Sequence, residues 1–319
     1  MAAIHRIGVD ENGLGARLGP MVVTAVLARV DEGGARMLAR RLPKAIRSDL
    51  DDSKRLVSHS DFGLGEAWAR AVVDGACSGP RELLGALLHE PESELSAPCP
   101  SHVKEQCWST TREGFLADDA LCERIRGHVA TFAARGVTIL RVRSSVLCTK
   151  RLNQAKERGI NRFVADLHAM ESLLLSLRGE AGSKVQAVCG KVGGINEYER
   201  FFGPLSGHLR TALEVGSKKS SYYFPALGEV SFVCDADASD PIVMLASLIG
   251  KYVRELLMAR IVRFYPAGKD DRAASGYHDP LTRAFVERTA LLRRQRKVPL
   301  HCFERARDEA APNAAESAS

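Results

Sequence analysis

Two adjacent acids near the start of the chain, Asp10 and Glu11, lie between short apolar runs that constrain the local fold. The run before them alternates apolar residues with glycine, and the run from Met21 to Leu27 is rich in β-branched residues, so each predicts a strand. The Asn12-Gly13 pair predicts a turn after the first strand. Acids at such a corner are most often solvated, so the pair alone defines no functional site.

Composition limits the class of protein. The chain has 319 residues, of which 45% are hydrophobic and 6% aromatic, which is enough for one sizeable core. Its apolar runs are shorter than the roughly 18 to 20 residues of a membrane span, and its start lacks the features of a signal peptide. We therefore predict a soluble, cytoplasmic protein with no membrane partner, whose eight cysteines stay mostly reduced. The net charge of +6 favours a polyanionic partner.

The distribution of glycine, proline and polar residues predicts the domain organisation. The core is predicted in two parts, 1–74 and 119–307, the second of which includes a helical C-terminal extension. Residues 75–118, rich in glycine, proline and polar residues, are predicted to form an insertion or small subdomain, and 308–319 a disordered tail. The segment contains four potential zinc ligands, Cys77, Cys99, His102 and Cys107. Because their spacing lacks paired C-x2-C knuckles, ordinary thiols are the better interpretation.

Hydrophobic periodicity predicts the remaining elements. Helices are predicted at 32–41, 62–73, 121–135, 161–177, 242–261 and from 281, and strands at 137–142, 185–188 and 230–233. Residues 195–228 are predicted to be irregular. Within them the basic and aromatic segment 218–224 suits either a nucleic-acid strand, by charge and stacking, or a solvated loop with its rings tucked in.

Several acids have a structural explanation as helix caps. Asp52 or Ser53 precedes the helix at 62–73, and Asp235, Asp237 and Asp240 precede the long apolar helix. Side chains of these types accept hydrogen bonds from the first free amides of a helix. Capping needs no catalytic function.

Five segments, taken together and in order, resemble the type 2 ribonuclease H family. The first resembles the family's D-E-A-G-R-G-x-x-x-G-P motif, and the second its D-S-K-x-L motif. The third matches an N-x3-A-x3-A-M helix, the fourth an A-D-A-x-x-P segment followed by A-S-I-x-A-K-x-x-R-D, and the fifth S-G-Y-P-x-D-P-x-T with one residue fewer. The matching residues are Asp10-Glu11-Asn12-Gly13-Leu14-Gly15 with Gly19-Pro20; Asp52-Ser53-Lys54-Arg55-Leu56; Asn161, Ala165, Ala169 and Met170; Ala236-Asp237-Ala238 with Pro241, Ala246-Ser247, Lys251 and Arg254; and Ser275-Gly276-Tyr277 with Asp279-Pro280 and Thr282.

The resemblance implies a fold and a reaction. The implied fold is a ribonuclease H-like α/β core, a mixed five-stranded sheet flanked by helices, with a helical C-terminal extension. The implied reaction is cleavage of RNA strands or embedded ribonucleotides in duplex with DNA, by two Mg2+ or Mn2+ ions that carboxylates bridge. Asp10, Glu11 and Asp237 match three of the four expected catalytic metal ligands, and Asp235 and Asp240 are out of register.

The resemblance also implies residues that bind the substrate. Gly13 and Gly15 match glycines whose backbone reads the 2′-hydroxyl. Lys54 matches the lysine of D-S-K-x-L, and we assign it to substrate binding. Tyr277 matches the tyrosine that packs beside the ribonucleotide, although a half-buried core tyrosine is the simpler interpretation of such a residue.

Two positions depart from the family pattern. The fourth ligand is an aspartate in a V-D-G or V-D-T segment, and here the chain reads Val188-Cys189-Gly190-Lys191, so Cys189 or Gly190 takes its place. Neither replaces a carboxylate, since a thiolate is a soft ligand poorly matched to Mg2+. The second departure is Leu14, where the family has arginine.

Two functions follow from this pattern. The first is a metal-dependent endoribonuclease, a hydrolase of RNA/DNA hybrids or of duplex DNA with embedded ribonucleotides, with weakened activity. The alternative is a catalytically inactive relative, a pseudoenzyme, that binds nucleic acid or a protein partner, with Cys189 as the degenerate site position. The sequence does not specify the oligomeric state.

Overall fold

A single mixed sheet forms the centre of the protein. The computed structural model describes residues 3–59, 61–73, 75–193, 195–265 and 274–306. Seven strands of these residues form the sheet: β1 (Ile4–Asn12), β2 (Met21–Val30), β3 (Val137–Leu147), β4 (Val185–Gly190), β5 (Thr211–Val215), β6 (Lys219–Phe224) and β7 (Gly228–Val233).

The strand order is β3-β2-β1-β4-β7-β6-β5. Strand β1 is antiparallel to β2 and parallel to β4, and β4 is parallel to β7. The five strands from β3 to β7 are consecutive in this order, and the β5-β6 hairpin extends them at one edge. The predicted α/β class with a mixed sheet is thus confirmed, with seven strands in the described chain where five were predicted.

Helices cover both faces of the sheet. The described helices are α1 (Glu32–Leu38), α2 (Lys44–Arg47), α3 (Ser53–Leu56), α4 (Gly63–Val72), α5 (Pro80–Leu87), α6 (Glu92–Ser96), α7 (Glu105–Trp108), α8 (Asp119–Ala134), α9 (Thr149–Glu157), α10 (Arg162–Ala181), α11 (Ala236–Ser239), α12 (Pro241–Phe264), α13 (Pro280–Arg288), α14 (Ala290–Gln295) and α15 (Leu300–Phe303). The last three form the helical C-terminal extension that the sequence predicts. None of the described helices is both long and apolar enough to cross a membrane.

Two long helices, α10 and α12, position the end of β1. Ile7 and Val9 share a buried apolar cluster with α10. Gly8 points to the other face, where a Cβ would lie 2.6 Å from the backbone of Ile242 at the start of α12. Glycine at this position therefore lets α12 pack directly on β1. The alternation of the strand places Asp10 on the α12 face and Glu11 on the α10 face.

The prediction of an irregular segment at 195–228 is wrong for its second half, where β5 and β6 form a hairpin. Tyr222 and Phe224 alternate along β6 and are fully buried. The two serines that precede them obscure this pattern in the sequence. Ser221 is nevertheless buried, and its hydroxyl is hydrogen-bonded to that of Ser231 of β7 at 2.8 Å. The solvated-loop interpretation was correct only in that these rings are tucked in.

The segment 75–118 contributes α5, α6 and α7. Leu83, Leu87 and Trp108 lie in the same buried cluster as residues of β2 and α12. The segment therefore packs on the main core. The domain boundaries at 75 and 118 stay a prediction, and the predicted tail 308–319 lies outside the described residues.

Candidate active site

The acids predicted from the sequence line one cleft at the carboxyl ends of β1 and β4. The cleft has a volume of about 390 Å3. It is lined by Asp10, Glu11, Asn12, Gly13, Leu14, Gly15, Ser53, Lys54, Gly190, Lys191, Asp235, Ala236, Asp237, Ser247, Lys251 and Tyr277. Every predicted catalytic and substrate-binding residue is in this set, although their segments are far apart in the sequence. Cys189, the predicted degenerate position, is not.

Asp10 and Glu11 are held in different ways. The Asp10 carboxylate is buried and accepts a hydrogen bond from Ser247 of α12. Glu11 is half-buried, and its Oε2 accepts a hydrogen bond from the backbone N–H of Leu14 at 3.0 Å. Burial raises the pKa of both groups, and the charges of Glu11 and Asp237 raise the pKa of Asp10 further. Two neighbouring acids with raised pKa values favour binding of a cation, because its positive charge would stabilise their ionised forms.

Asp237 faces the cleft from α11, and a lysine accompanies it. The Nζ atom of Lys54 lies 3.3 Å from Oδ2 of Asp237, and its side chain is 75% exposed. Burial lowers the pKa of Lys54, but Asp237 outweighs that effect and the net shift is upward. Lys54 therefore stays charged at the mouth of the cleft, where a phosphate could approach it.

The other aspartates near α12 have structural roles. Asp240 caps this helix through Oδ1, which accepts from the backbone N–H groups of Ile242 and Val243, and also pairs with Arg6. Asp235 precedes α11 in a left-handed conformation with φ of 52° and makes no capping bond. Asp52 caps α3 by accepting from the backbone N–H of Lys54 at 2.9 Å. The capping prediction thus holds for Asp240. It is wrong for Asp52, which caps α3, whereas the predicted helix at 62–73 begins after Phe62 without a side-chain cap.

The structure distinguishes the two positions where a fourth ligand was expected. Cys189 is fully buried and packs in the apolar cluster under α10. Gly190 is on the opposite face, where a Cβ would lie 2.8 Å from Oδ1 of Asp10. Gly190 is therefore the position from which a side chain of β4 would meet Asp10. Lys191 lines the cleft, but its ammonium is held by other groups, since its Nζ atom donates to Asn196 and to the carbonyls of Gly216 and Ser217.

The glycine loop after Glu11 is braced by arginines from distant segments. Gly13 has φ of +94°, and a Cβ there would lie 2.6 Å from Nε of Arg254. The guanidinium of Arg305 donates to the carbonyls of Gly13 at 2.6 Å and Gly19 at 2.8 Å. Arg162 donates to the Leu14 carbonyl at 3.2 Å. Burial, with the nearby charges of Arg254 and Arg162, lowers the pKa of Arg305 to about 9. Three arginines therefore surround the loop, although Leu14 stands where the family motif has an arginine.

Leu14 and Gly15 have opposite surroundings. The Leu14 side chain packs on a small cluster that contains Met21, Leu152 and Ala165. Gly15 is exposed, and a Cβ there would meet no atom within 4 Å. Packing therefore explains Leu14 but does not require glycine at position 15, whose backbone is open to a ligand.

Tyr277 lies at the opening of the cleft and is 40% exposed. The Cζ atom of Arg254 is 4.4 Å from the centroid of its ring. The turn before it is fixed to the glycine loop, because the Gly276 carbonyl accepts from the backbone N–H groups of Arg17 and Leu18. The ring therefore packs on Arg254 and stays partly exposed, which fits both the half-buried core tyrosine and the substrate contact that the sequence left open.

Two residues of the site region, Asp166 and Arg305, were not predicted from the sequence, and neither was the hydrogen bond from Ser247 to Asp10. Asp166 is fully buried on α10, and its charge interacts with those of Glu11 and Asp10. The available signal was an acid on an apolar stripe, since Asp166 shares helical spacing with Met170, Leu173 and Leu177. No comparable signal marks Arg305.

The side chains as they stand form no compact metal cage. Among residues 3–59, 61–73, 75–193, 195–265 and 274–306, no three His, Cys, Asp or Glu side chains are grouped so as to hold a metal ion. This includes the potential zinc ligands Cys77, Cys99, His102 and Cys107, and the cysteines are free thiols. The chemistry of the cleft still fits a divalent cation, because its donors are hard carboxylate oxygens and one buried acid beside it, Asp166, has no hydrogen-bond partner among the described residues.

Comparisons with known proteins give fold-level similarity only. No protein-family model matches the chain, and no curated protein matches it. Among solved structures, the chain resembles RNase HII in the PCNA:RNase HII complex from Archaeoglobus fulgidus, at 17% identity and a TM-score of 0.42 over 98% of each chain. It resembles Bst-RNase HIII in complex with Mn2+ at 16% identity and a TM-score of 0.44, over 95% of this chain and 66% of that one.

A third similar structure is the ribonuclease H2 from Pyrococcus horikoshii OT3, at 16% identity and a TM-score of 0.43 over 94% of this chain and 92% of that one. Similarity at this level assigns the chain neither a family nor an activity.

Proposed function

We propose that the protein is a metal-dependent endoribonuclease that cleaves the RNA strand, or embedded ribonucleotides, of RNA/DNA duplexes. The observation that carries the proposal is the convergence of Asp10, Glu11 and Asp237 on one cleft at the carboxyl ends of parallel strands. Their oxygens suit Mg2+ or Mn2+. When bound, such ions supply an activated water molecule and stabilise the charge on the leaving oxygen.

The protein's own groups would hold the acids and orient the substrate. Ser247 fixes the Asp10 carboxylate by donating a hydrogen bond to it. The loop of Gly13 and Gly15 is held open by the bonds that its carbonyls accept from Arg305, which leaves the backbone at Gly15 free to contact a 2′-hydroxyl. Lys54 offers a charge to a phosphate at the mouth of the cleft.

Tyr277 would complete the substrate contact. Its partly exposed ring lines the cleft, and the 275–277 turn that carries it is hydrogen-bonded to Arg17 and Leu18 at the end of the glycine loop. A sugar that lay between the loop and this ring would have its 2′ position at the loop. The arrangement supports selection of a ribonucleotide in a duplex, and the cytoplasm remains the predicted location.

The test is cleavage of a DNA duplex that carries one ribonucleotide, with Mg2+ and then Mn2+. We expect cleavage at the ribonucleotide by the native chain and a loss on the order of 10³-fold in Asp10→Asn, since removing a metal ligand forfeits several kcal/mol of transition-state stabilisation. Asp119→Asn is the matched control, because Asp119 is exposed in the first turn of α8 and away from the cleft. Cleavage that persists unchanged in Asp10→Asn would overturn the proposal.

A second candidate is a non-catalytic protein that binds the same duplexes. It is favoured by Gly190, which puts no carboxylate on β4 opposite Asp10, and by Lys54, whose ammonium already pairs with Asp237. For such a binder we expect fluorescence anisotropy to show duplex binding by a native chain that does not cleave.

The variant Gly190→Asp separates the two candidates. It restores a carboxylate on the face of Asp10, so an inert native chain that gains cleavage through it would be the non-catalytic protein. Cys189→Asp is the matched control, since it places the same acid on the buried face and is expected to destabilise the fold without creating activity.

A further inference from the structure

Asp166 on α10 is a buried acid without a partner. Its side chain is completely inaccessible to solvent. Neither of its carboxylate oxygens has a hydrogen-bond partner among the residues that the structure describes. A buried carboxylate in this state is unfavourable when charged and also when protonated, because its hydroxyl then lacks an acceptor. Such a group needs an explanation, and a bound ion is one that also accounts for the acids beside it.

Two other buried acids among the described residues are satisfied. Glu171, five residues later on α10, accepts hydrogen bonds from the backbone N–H groups of Gly203 at 3.1 Å and Leu205 at 2.7 Å. Glu66 accepts from the backbone N–H groups of Leu116 and Ala117, both at 3.0 Å. The fold can therefore provide donors for a buried acid, and at Asp166 the described residues provide none.

The surroundings of Asp166 are acidic. Burial raises its pKa first, and the charges of Glu11 and then Asp10 raise it further. Burial raises the pKa of the Cys189 thiol, and the charge of Asp166 raises it further. Asp166 has helical spacing with Met170 and Leu173 of α10, which pack in one cluster with Val9 of β1, so it lies on the face of the sheet that carries Glu11. A divalent cation beside these acids would offset these repulsions.

Strand β4 lacks the carboxylate that would complete the site from the other face, since Gly190 has no side chain to direct at Asp10. We propose that Asp166 supplies from α10 the metal-binding carboxylate that β4 lacks at Gly190, so that a divalent cation binds among Asp166, Glu11 and Asp10. This inference rests on the proposed metal-dependent function. In the conformation described, no three of these side chains are grouped to hold an ion, so cation binding must draw the carboxylates together.

The test measures Mn2+ binding by the whole chain without substrate. Electron paramagnetic resonance reports free Mn2+, and its titration gives the dissociation constant for the native chain and for Asp166→Asn. We expect Asp166→Asn to weaken Mn2+ binding by about 10 to 100-fold or more. This is the loss in metal affinity that follows even the removal of a group that only supports a metal ligand. Glu171→Gln is the matched control, as a buried acid of the same helix, and should bind Mn2+ like the native chain.

A second variant separates lost ligation from a damaged fold. Asp166→Asn combined with Gly190→Asp carries a carboxylate on the strand in place of the one on the helix, and we expect it to regain Mn2+ affinity. Equal Mn2+ affinity in the native chain and Asp166→Asn, with loss in Asp10→Asn, would overturn the role of Asp166 and leave the proposed nuclease intact.

A native chain that binds no Mn2+ would overturn this inference whatever the folding of its variants. A chain that binds Mn2+ through Asp166 but cleaves no duplex would support the site and reject the nuclease.

Discussion

Two acids on one helix, Asp166 and Glu171, are equally inaccessible to solvent but differently satisfied. Glu171 lies under the 203–205 turn, which provides two backbone N–H donors. Asp166 lies under the edge of the cleft, where the neighbouring charges are those of Glu11 and Asp10. The difference indicates that Glu171 stabilises the fold by holding a turn on the helix. Asp166 destabilises the fold, so stability does not explain its presence.

The largest expected effect is a loss of folding stability when Glu171, the hydrogen-bonded acid, is replaced. Glu171→Leu leaves the N–H groups of Gly203 and Leu205 without their acceptor, so we expect the free energy of unfolding to fall by about 3 kcal/mol. Urea denaturation measures the change. A loss below about 1 kcal/mol would show that the turn finds other acceptors, and the contrast between the two acids would then weaken.

The next effect is on catalysis at the unsatisfied acid. Asp166→Asn should reduce metal-dependent cleavage of a ribonucleotide-containing duplex by about 100-fold, which is equivalent to about 2.7 kcal/mol. Glu171→Gln should stay within about threefold of the native rate, since that acid has no contact with the cleft. Single-turnover rates measure both, and similar losses in the two variants would contradict a functional difference.

The third effect is a pH dependence of stability from Glu171. Burial raises its pKa from 4.5 to about 7, against the opposing hydrogen bonds from Leu205 and Gly203. Between these values the folded protein keeps a proton that the unfolded chain has lost, so the free energy of unfolding decreases as pH rises from 4.5 to 7.

Glu171→Gln should remove about 2 kcal/mol of this decrease. Urea midpoints of both chains at pH 5 and pH 8 provide the measurement. An unchanged difference between the two pH values in the variant would assign the dependence to other groups.

The smallest effect is a gain of stability at Asp166. With divalent cations chelated, Asp166→Leu removes an unpartnered buried carboxylate and fills its site with an apolar side chain, so we expect a gain of about 1 kcal/mol. Thermal unfolding in the presence of a chelator measures it. A loss of stability instead would mean that Asp166 has a structural partner.

The local patterns were sufficient to predict much of the site. Asp10 and Glu11 follow an apolar strand that the alternation identifies, and Asp237 precedes a helix whose apolar length is obvious. Residues from four of the five segments lie together in one cleft, and each of these motifs is short and continuous in the sequence. Prediction was weaker where the side-chain face depends on pairing between distant strands.

Cys189 and Gly190 show this limit. Adjacent residues of a strand point to opposite faces, and only the register of β4 against β1, with Val9 opposite Cys189, shows that position 190 faces Asp10. Asp166 shows a second form of this limit. Its helical spacing predicts a buried face of α10, but it does not predict which strands that face packs on. Arg305 contacts Gly13 across 292 positions, a pairing that no local pattern encodes.

The contact of Arg305 with the glycine loop also affects when the cleft can form. The guanidinium that fixes the carbonyls of Gly13 and Gly19 is translated almost 300 residues after the acids at positions 10 and 11. A nascent chain therefore exposes its acids well before the loop beside them is fixed. Selection of a ribonucleotide by that loop would begin only once Arg305 has left the ribosome and docked.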